Sequence, residues 1–118
     1  MEFQGVLSAL DGLAVRGMDF GLKRTRALLD GLSSPDEKLK IIHIAGSNGK
    51  GSVAEFISRI LIAAGKKTGV FTSPEVFGYF GQFRIDGQEL GEESFVKAFG
   101  DALRAGAGLN ATRFETET

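Results

Sequence analysis

One stretch limits what this chain can fold into more than any other. It is Gly46-Ser47-Asn48-Gly49-Lys50-Gly51-Ser52, a run with three glycines and a lysine. Before it stands Leu39 to Ala45 (L-K-I-I-H-I-A), a short, nearly continuous apolar run rich in β-branched residues. That pattern suits a strand covered on both faces in a parallel sheet. After it, Val53, Phe56, Ile57, Ile60, Leu61 and Ala64 recur at helical spacing until Gly65 stops the helix. The order strand, glycine-rich loop, helix puts the loop at the C-terminal end of a buried strand. Backbone N–H groups converge at such a turn, and the helix dipole favours negative charge there. Gly46, Gly49 and Gly51 let the backbone wrap a phosphate chain, Lys50 can bridge terminal phosphates, and Ser52 can ligand Mg²⁺ from the first turn. The spacing is not the strict G-x-x-x-x-G-K-[ST]: position 44 is Ile, and Gly51 separates Lys50 from Ser52. A plain glycine-rich turn with an exposed lysine is the alternative reading. The strand and helix on either side favour nucleotide binding.

The remaining pattern supplies helices and a hairpin. Phe3, Val6, Leu7, Leu10 and Leu13 predict an amphipathic helix over about 3 to 15, with Gly17 and Asp19 following. A second helix is predicted from Leu22 to Leu32, with Leu22, Leu28, Leu29 and Leu32 inward and Lys23, Arg24 and Arg26 on a solvated face. Lys67 to Thr72 reads as a strand returning parallel to the first, completing a right-handed βαβ unit with Ser73-Pro74 at its C-terminal end. Phe83-Arg84-Ile85, Asp86-Gly87 and Gln88-Glu89-Leu90 predict a surface hairpin, because Asp-Gly tolerates the positive φ of a tight turn. Glu92 to Ala105 is a further helix with acids in its first turn and Gly106 as C-cap. Thr112 to Thr118 resembles the start of another element.

Composition narrows the function classes. The 118 residues, 42% hydrophobic and 25% charged, fit one modest globular domain. A net charge of -1 provides no overall field for nucleic acid or an anionic membrane, so any anion site is local. With no Cys, disulfides, thiolate metal sites and a Cys nucleophile are excluded, and a reducing compartment fits. No basic leader precedes an apolar run, and the longest aliphatic stretch, Ile60 to Ala64, falls far short of the ~20 residues of a membrane span. The cytoplasm is the expected location.

H-I-A-G-S-N-G-K-G-S (His43 to Ser52), V-F-T-S-P (Val70 to Pro74) and R-I-D-G (Arg84 to Gly87) together resemble the folylpolyglutamate synthase and dihydrofolate synthase family of Mur-type ligases. D-F-G-L-K-R-T-R-A-L-L (Asp19 to Leu29) and T-R-F-E (Thr112 to Glu115) are similar to that family as well. The resemblance implies an α/β fold like that of P-loop nucleoside triphosphate hydrolases, a parallel sheet with flanking helices, this chain being part of the Mur ligase central domain. It implies an N-terminal piece of the ATP-binding domain, without the C-terminal glutamate-binding domain and unable to form product unaided. The implied reaction uses ATP and Mg²⁺ to join L-glutamate to a folate, either tetrahydrofolate or dihydropteroate, through an acyl phosphate. It needs no nucleic acid or membrane, and the complete enzyme would be a monomer.

By the same resemblance, Lys50 is the catalytic cation, Ser73 joins Ser52 at the metal, and Gly21, Leu22, Thr112 and Phe114 hold the pterin. Leu22 and Phe114 also read as plain core residues. The sequence departs from the family at Glu75-Val76, where His-Leu is usual, and at Gly81-Gln82, where Glu-Arg is usual. Phe77, Tyr79, Phe80 and Phe83 could stack a pterin, but loop aromatics anchoring onto the domain are the favoured reading. His43, the sole histidine, reads as a hydrogen-bonded core residue rather than a base. Glu92 and Glu93 fit the helix dipole, and Glu115 and Glu117 lie at an end expected to fray. A free-standing P-loop module without ligase activity and a fragment of a cell-wall Mur ligase remain as alternatives.

Overall fold

The computed structural model describes residues 2–13, 21–73 and 78–118. In chain order the elements are α1 (Phe3–Leu13), α2 (Lys23–Gly31), α3 (Lys50–Ala63), β1 (Gly69–Phe71), β2 (Phe83–Ile85), β3 (Gln88–Glu89), α4 (Glu92–Gly106) and α5 (Arg113–Glu117). Short 3₁₀ turns occupy Pro35–Lys38 and Tyr79–Gln82. The chain divides into two compact units, one of Met1–Lys40 with Gly91–Thr118, the other of Ile41–Leu90.

The first unit is helical, and its core is built on α4. Phe95, Phe99 and Ala102 recur at helical spacing and are buried together with Val6 and Leu10 of α1, Leu28 of α2 and Ala111. Phe95 packs at 4.2 Å against Phe99 and edge-on at 5.5 Å against Phe3. These contacts combine area burial with favourable ring geometry. Gly106 is not the C-cap that the sequence suggests. It lies inside α4, with Ala107 as cap, and a Cβ added there would stand 3.2 Å from that of Ala111 and 3.3 Å from Leu28 Cδ1. Its small size serves close approach, which a sequence pattern cannot distinguish from a helix stop.

The charged face of α2 is also more engaged than expected. Arg26 donates to both oxygens of Asp36 at 2.9 and 3.1 Å and to Asp30 at 3.1 Å, while Arg24 pairs with Glu115 at 3.2 Å. Leu22, expected inward, is 78% exposed at the N-cap of α2. Glu115 and Thr116 are buried rather than frayed, because α5 begins with a capping box.

In the second unit α3 ends as predicted, with Gly65 at φ +80°. The hairpin is observed where predicted, with Arg84 facing Glu89 and Ile85 facing Gln88. Asp86 (φ +51°) and Gly87 (φ +83°) make the tight turn, and Asp86 Oδ1 also accepts the Thr68 N–H at 2.8 Å. The predicted parallel sheet and βαβ return are not what the described residues form. β1 pairs antiparallel with β2, which pairs antiparallel with β3. Leu39 to Ala45 joins no ladder, and Leu39, Ile41 and Ile42 are 64, 68 and 59% exposed. A strand is defined by its neighbours, and among the described residues none lies beside this run to take its hydrogen bonds. For the same reason Val53, Phe56 and Ile60, expected inward, face solvent on α3, and His43 is exposed rather than held in a core. Residues 14–20 and 74–77, with the end of the first predicted helix, Gly17, Asp19, Pro74, Glu75-Val76 and Phe77, lie outside the described residues.

Two outcomes test this packing. Phe95→Ala should lower unfolding free energy by about 3–5 kcal/mol, measured by denaturant titration. Hydrogen bonds from the Arg26 guanidinium hold the Asp36 carboxyl below its ordinary range. A depressed carboxyl contributes stability that is present above the ordinary aspartate range and is lost as pH falls through the folded value. Stability of Asp36→Asn should therefore lie below that of the parent near neutrality and converge on it in acid, in melts recorded across pH.

Candidate functional site

The loop from Gly46 to Ser52 takes its shape from two backbone angles. Gly46 has φ +149° and Gly49 φ +77°, in the region that side-chain-bearing residues avoid. Gly49 is the N-cap of α3, with no side chain capping it. The first helical hydrogen bond runs from the Val53 N–H to the Gly49 carbonyl at 3.0 Å. The N–H groups of Lys50, Gly51 and Ser52 thus precede the ladder and point out of the helix end. Gly51 has ordinary helical geometry, and a Cβ there would meet nothing within 4 Å, so its glycine is not demanded by the fold. It leaves the first turn bare for a ligand to approach. Gly46, Ser47, Asn48, Gly49, Gly51 and Ser52 are exposed, and Lys50 is half-buried without an ion pair among the described residues. Three free N–H groups, a helix dipole and an ammonium group make a site suited to an anion.

Ser73 belongs to the same unit, two residues beyond β1 and exposed. The backbone just before it is fixed by a residue that motif reading did not single out as functional. Gln82 accepts the Thr72 N–H on its carbonyl at 3.1 Å and donates its side-chain amide to the Thr72 carbonyl at 3.0 Å. Gln82 is one of the departures from the family pattern, and its place opposite the end of β1 is the signal that identifies it. Phe71, Tyr79, Phe80 and Phe83 form a ring cluster, Phe71 stacked on Phe83 at 5.3 Å and Tyr79 edge-on to Phe80 and Phe83 at 5.3 and 5.4 Å. These rings anchor the segment. Among the described residues no group of three or more His, Asp or Glu side chains could hold a metal ion.

Gly21, Leu22, Thr112 and Phe114 belong to the other unit. Gly21 and Leu22 are exposed, and Phe114 is 43% exposed, so the core alternative for Leu22 and Phe114 does not hold. Thr112 is 2% exposed. Its hydroxyl accepts the Glu115 N–H at 3.2 Å, and its own N–H donates to Glu115 Oε1 at 2.9 Å. Its carbonyl accepts from both the N–H and the hydroxyl of Thr116. The T-x-x-E spacing is the sequence signature of this capping box. Glu115 is therefore the buried organiser of the segment, bonded to α5's start and paired with Arg24 of α2.

The described elements define a mixed α/β chain in which a glycine-rich loop opens a helix. Comparison with known proteins agrees with that class. A dihydrofolate synthase/folylpolyglutamate synthase of Escherichia coli is 34% identical over 112 residues, 95% of this chain and 26% of its own length. A folylpolyglutamate synthetase from Lactobacillus casei superposes with a TM-score of 0.86 at 27% identity, over 99% of this chain and 31% of its own. A bifunctional folylpolyglutamate synthase/dihydrofolate synthase from Yersinia pestis, complexed with AMPPNP and Mn ion, gives 0.83 at 31% identity, over 99% and 28%. No family profile matches the chain. By sequence and by fold, nearly the whole chain is similar to one part of folylpolyglutamate synthases and dihydrofolate synthases. It spans about a quarter of the length of the curated E. coli relative.

Gly49→Ala would force a Cβ into the left-handed region and should destabilise the start of α3 by about 1–2 kcal/mol. Hydrogen exchange at residues 50–53 reads this directly: faster exchange there with unchanged protection in α4 is the expected result.

Proposed function

We propose that this chain supplies the nucleotide-binding part, an N-terminal piece of the ATP-binding domain, of a ligase that adds L-glutamate to a folate. The acceptor is tetrahydrofolate, dihydropteroate or both, and the reaction passes through an acyl phosphate. The observation that carries this reading is Gly49 in the left-handed conformation at the head of α3, which leaves the N–H groups of residues 50–52 open beside Lys50. Support comes from the names of the relatives and from the AMPPNP and Mn ion of the Yersinia pestis neighbour.

In this reading each residue has a task. The loop N–H groups from Gly46 to Ser52 hold the phosphate chain of ATP, and the Lys50 ammonium offsets charge on the transferred phosphoryl group. The residues present fit such a group, because the positive-φ glycines leave a bare, donor-rich turn. Mg²⁺ would be held by the hydroxyls of Ser52 and Ser73 together with phosphate oxygens, and when bound it neutralises developing phosphate charge. Gln82, by fixing Thr72, positions Ser73 for that role. Gly21, Leu22, Thr112 and Phe114 would shape the pteroyl site, the exposed Leu22 and Phe114 offering apolar surface and the Glu115 capping box holding the second segment in place. Leu39 to Ala45 is read as a strand of the parallel sheet in the complete domain, where its exposed isoleucines would be covered.

The test is calorimetry of ATP binding to the parent chain and to Lys50→Ala. Removing a charge-assisted contact of about 1.5–3 kcal/mol should cut affinity by ten-fold or more, while stability changes by less than about 0.5 kcal/mol, as for a surface substitution. Equal affinities would remove Lys50 from the phosphate site. For the metal, Ser73→Ala should weaken binding of ATP with Mg²⁺ more than binding of ATP alone; equal losses would take Ser73 out of the metal shell.

A further inference from the structure

Asn48 and Gly49 sit side by side in the exposed loop, and neither is tied down. Among the described residues, the Asn48 side chain and the Gly49 N–H make no hydrogen bond. Gly49 has no Cβ to crowd its nitrogen, and an added Cβ would meet nothing within 4 Å. It also stands at the N-terminus of α3, where the helix dipole lowers the cost of negative charge on a backbone nitrogen. A free side-chain amide is thus followed by an unhindered, activated backbone nitrogen. The chain's other asparagine provides a contrast: Asn110 precedes Ala111, which is 1% exposed and carries a methyl group.

We propose that Asn48 is a site of spontaneous deamidation, and that the product disables the loop as a phosphate grip. The second half rests on the nucleotide reading above. The Gly49 nitrogen loses its proton and bonds to Asn48 Cγ. The Cγ–Nδ2 bond breaks, and ammonia departs carrying that proton, leaving a succinimide ring. Water then opens either ring carbonyl, giving aspartate or isoaspartate at position 48. Water is the only co-reactant, and nothing is oxidised or reduced. Either product puts a carboxylate into a turn whose N–H groups and Lys50 suit an anion, and isoaspartate also lengthens the backbone there. A bound phosphate that accepts the Gly49 N–H removes the nucleophile, so nucleotide protects the site from this damage.

The experiment ages the purified chain at mildly alkaline pH with and without saturating ATP and Mg²⁺. Tryptic peptides are then read by mass spectrometry, which sees the mass gain of amide to acid and ignores isomerisation at Asp-Gly pairs. Conversion at Asn48 several-fold faster than at Asn110, and slowed several-fold by ATP, is the expected result. Conversion at Asn48 no faster than at Asn110 overturns the proposal whatever the nucleotide does. In parallel, Asn48→Asp, checked for folding by circular dichroism, should bind ATP at least about ten-fold more weakly, as expected for a like charge beside phosphate. If the parent binds ATP and Asn48→Asp binds it equally well, the proposed consequence is overturned while the nucleotide reading stands. If Asn48 deamidates but the parent shows neither ATP binding nor protection, the nucleotide reading fails, and the disabling role with it. Lys50→Ala serves as control: it should deamidate at the parent's rate and lose the protection by ATP.

Discussion

A single left-handed residue governs the candidate site. Gly49 at φ +77° turns the chain from the exposed loop into α3 and leaves the first three helical N–H groups outside the ladder. Any residue with a Cβ would resist that angle. The helix start, the direction of its dipole and the placement of Lys50 at its first position all follow from this one turn. The same glycine leaves an uncrowded, unbonded backbone nitrogen next to Asn48, so the residue that suits the loop to phosphate also exposes it to chemical damage.

A second organising contact lies in the helical unit. Glu115 uses one oxygen to hold the Thr112 N–H and to meet Arg24, while its buried second oxygen has no hydrogen-bond partner among the described residues. A buried carboxylate is costly unless paired and bonded, which ties its presence to the cation on α2. That pair links the segments around Leu22 and Phe114 through charge, and Leu22 and Phe114 themselves stay exposed.

What could be read from sequence divides along physical lines. Helices were legible because their signal is local: the stripe of α4, the stop at Gly65 and the Asp86-Gly87 turn each depend on a few neighbouring residues. The loop at Gly46 to Ser52 was legible for the same reason. The parallel sheet was not realised among the described residues, because Leu39 to Ala45 needs partners to become a strand and β1 finds its partner in β2. Gly106 is ambiguous in sequence, since a glycine near a helix end serves either as a stop or as a point of close approach, and only the positions of Leu28 and Ala111 decide. Gln82 and Glu115 carry no sequence signal as site organisers, because their importance lies in which backbone groups they bind.

The helical unit is discontinuous in sequence, with Ile41–Leu90 inserted between its two parts. Arg113 reaches Asp11 across 102 positions, and Phe3 meets Phe95. During synthesis α1 and α2 therefore leave the ribosome before α4, the helix that both pack against. The apolar stripe of α1, Val6 and Leu10 included, thus stays uncovered, a state open to association, until α4 arrives.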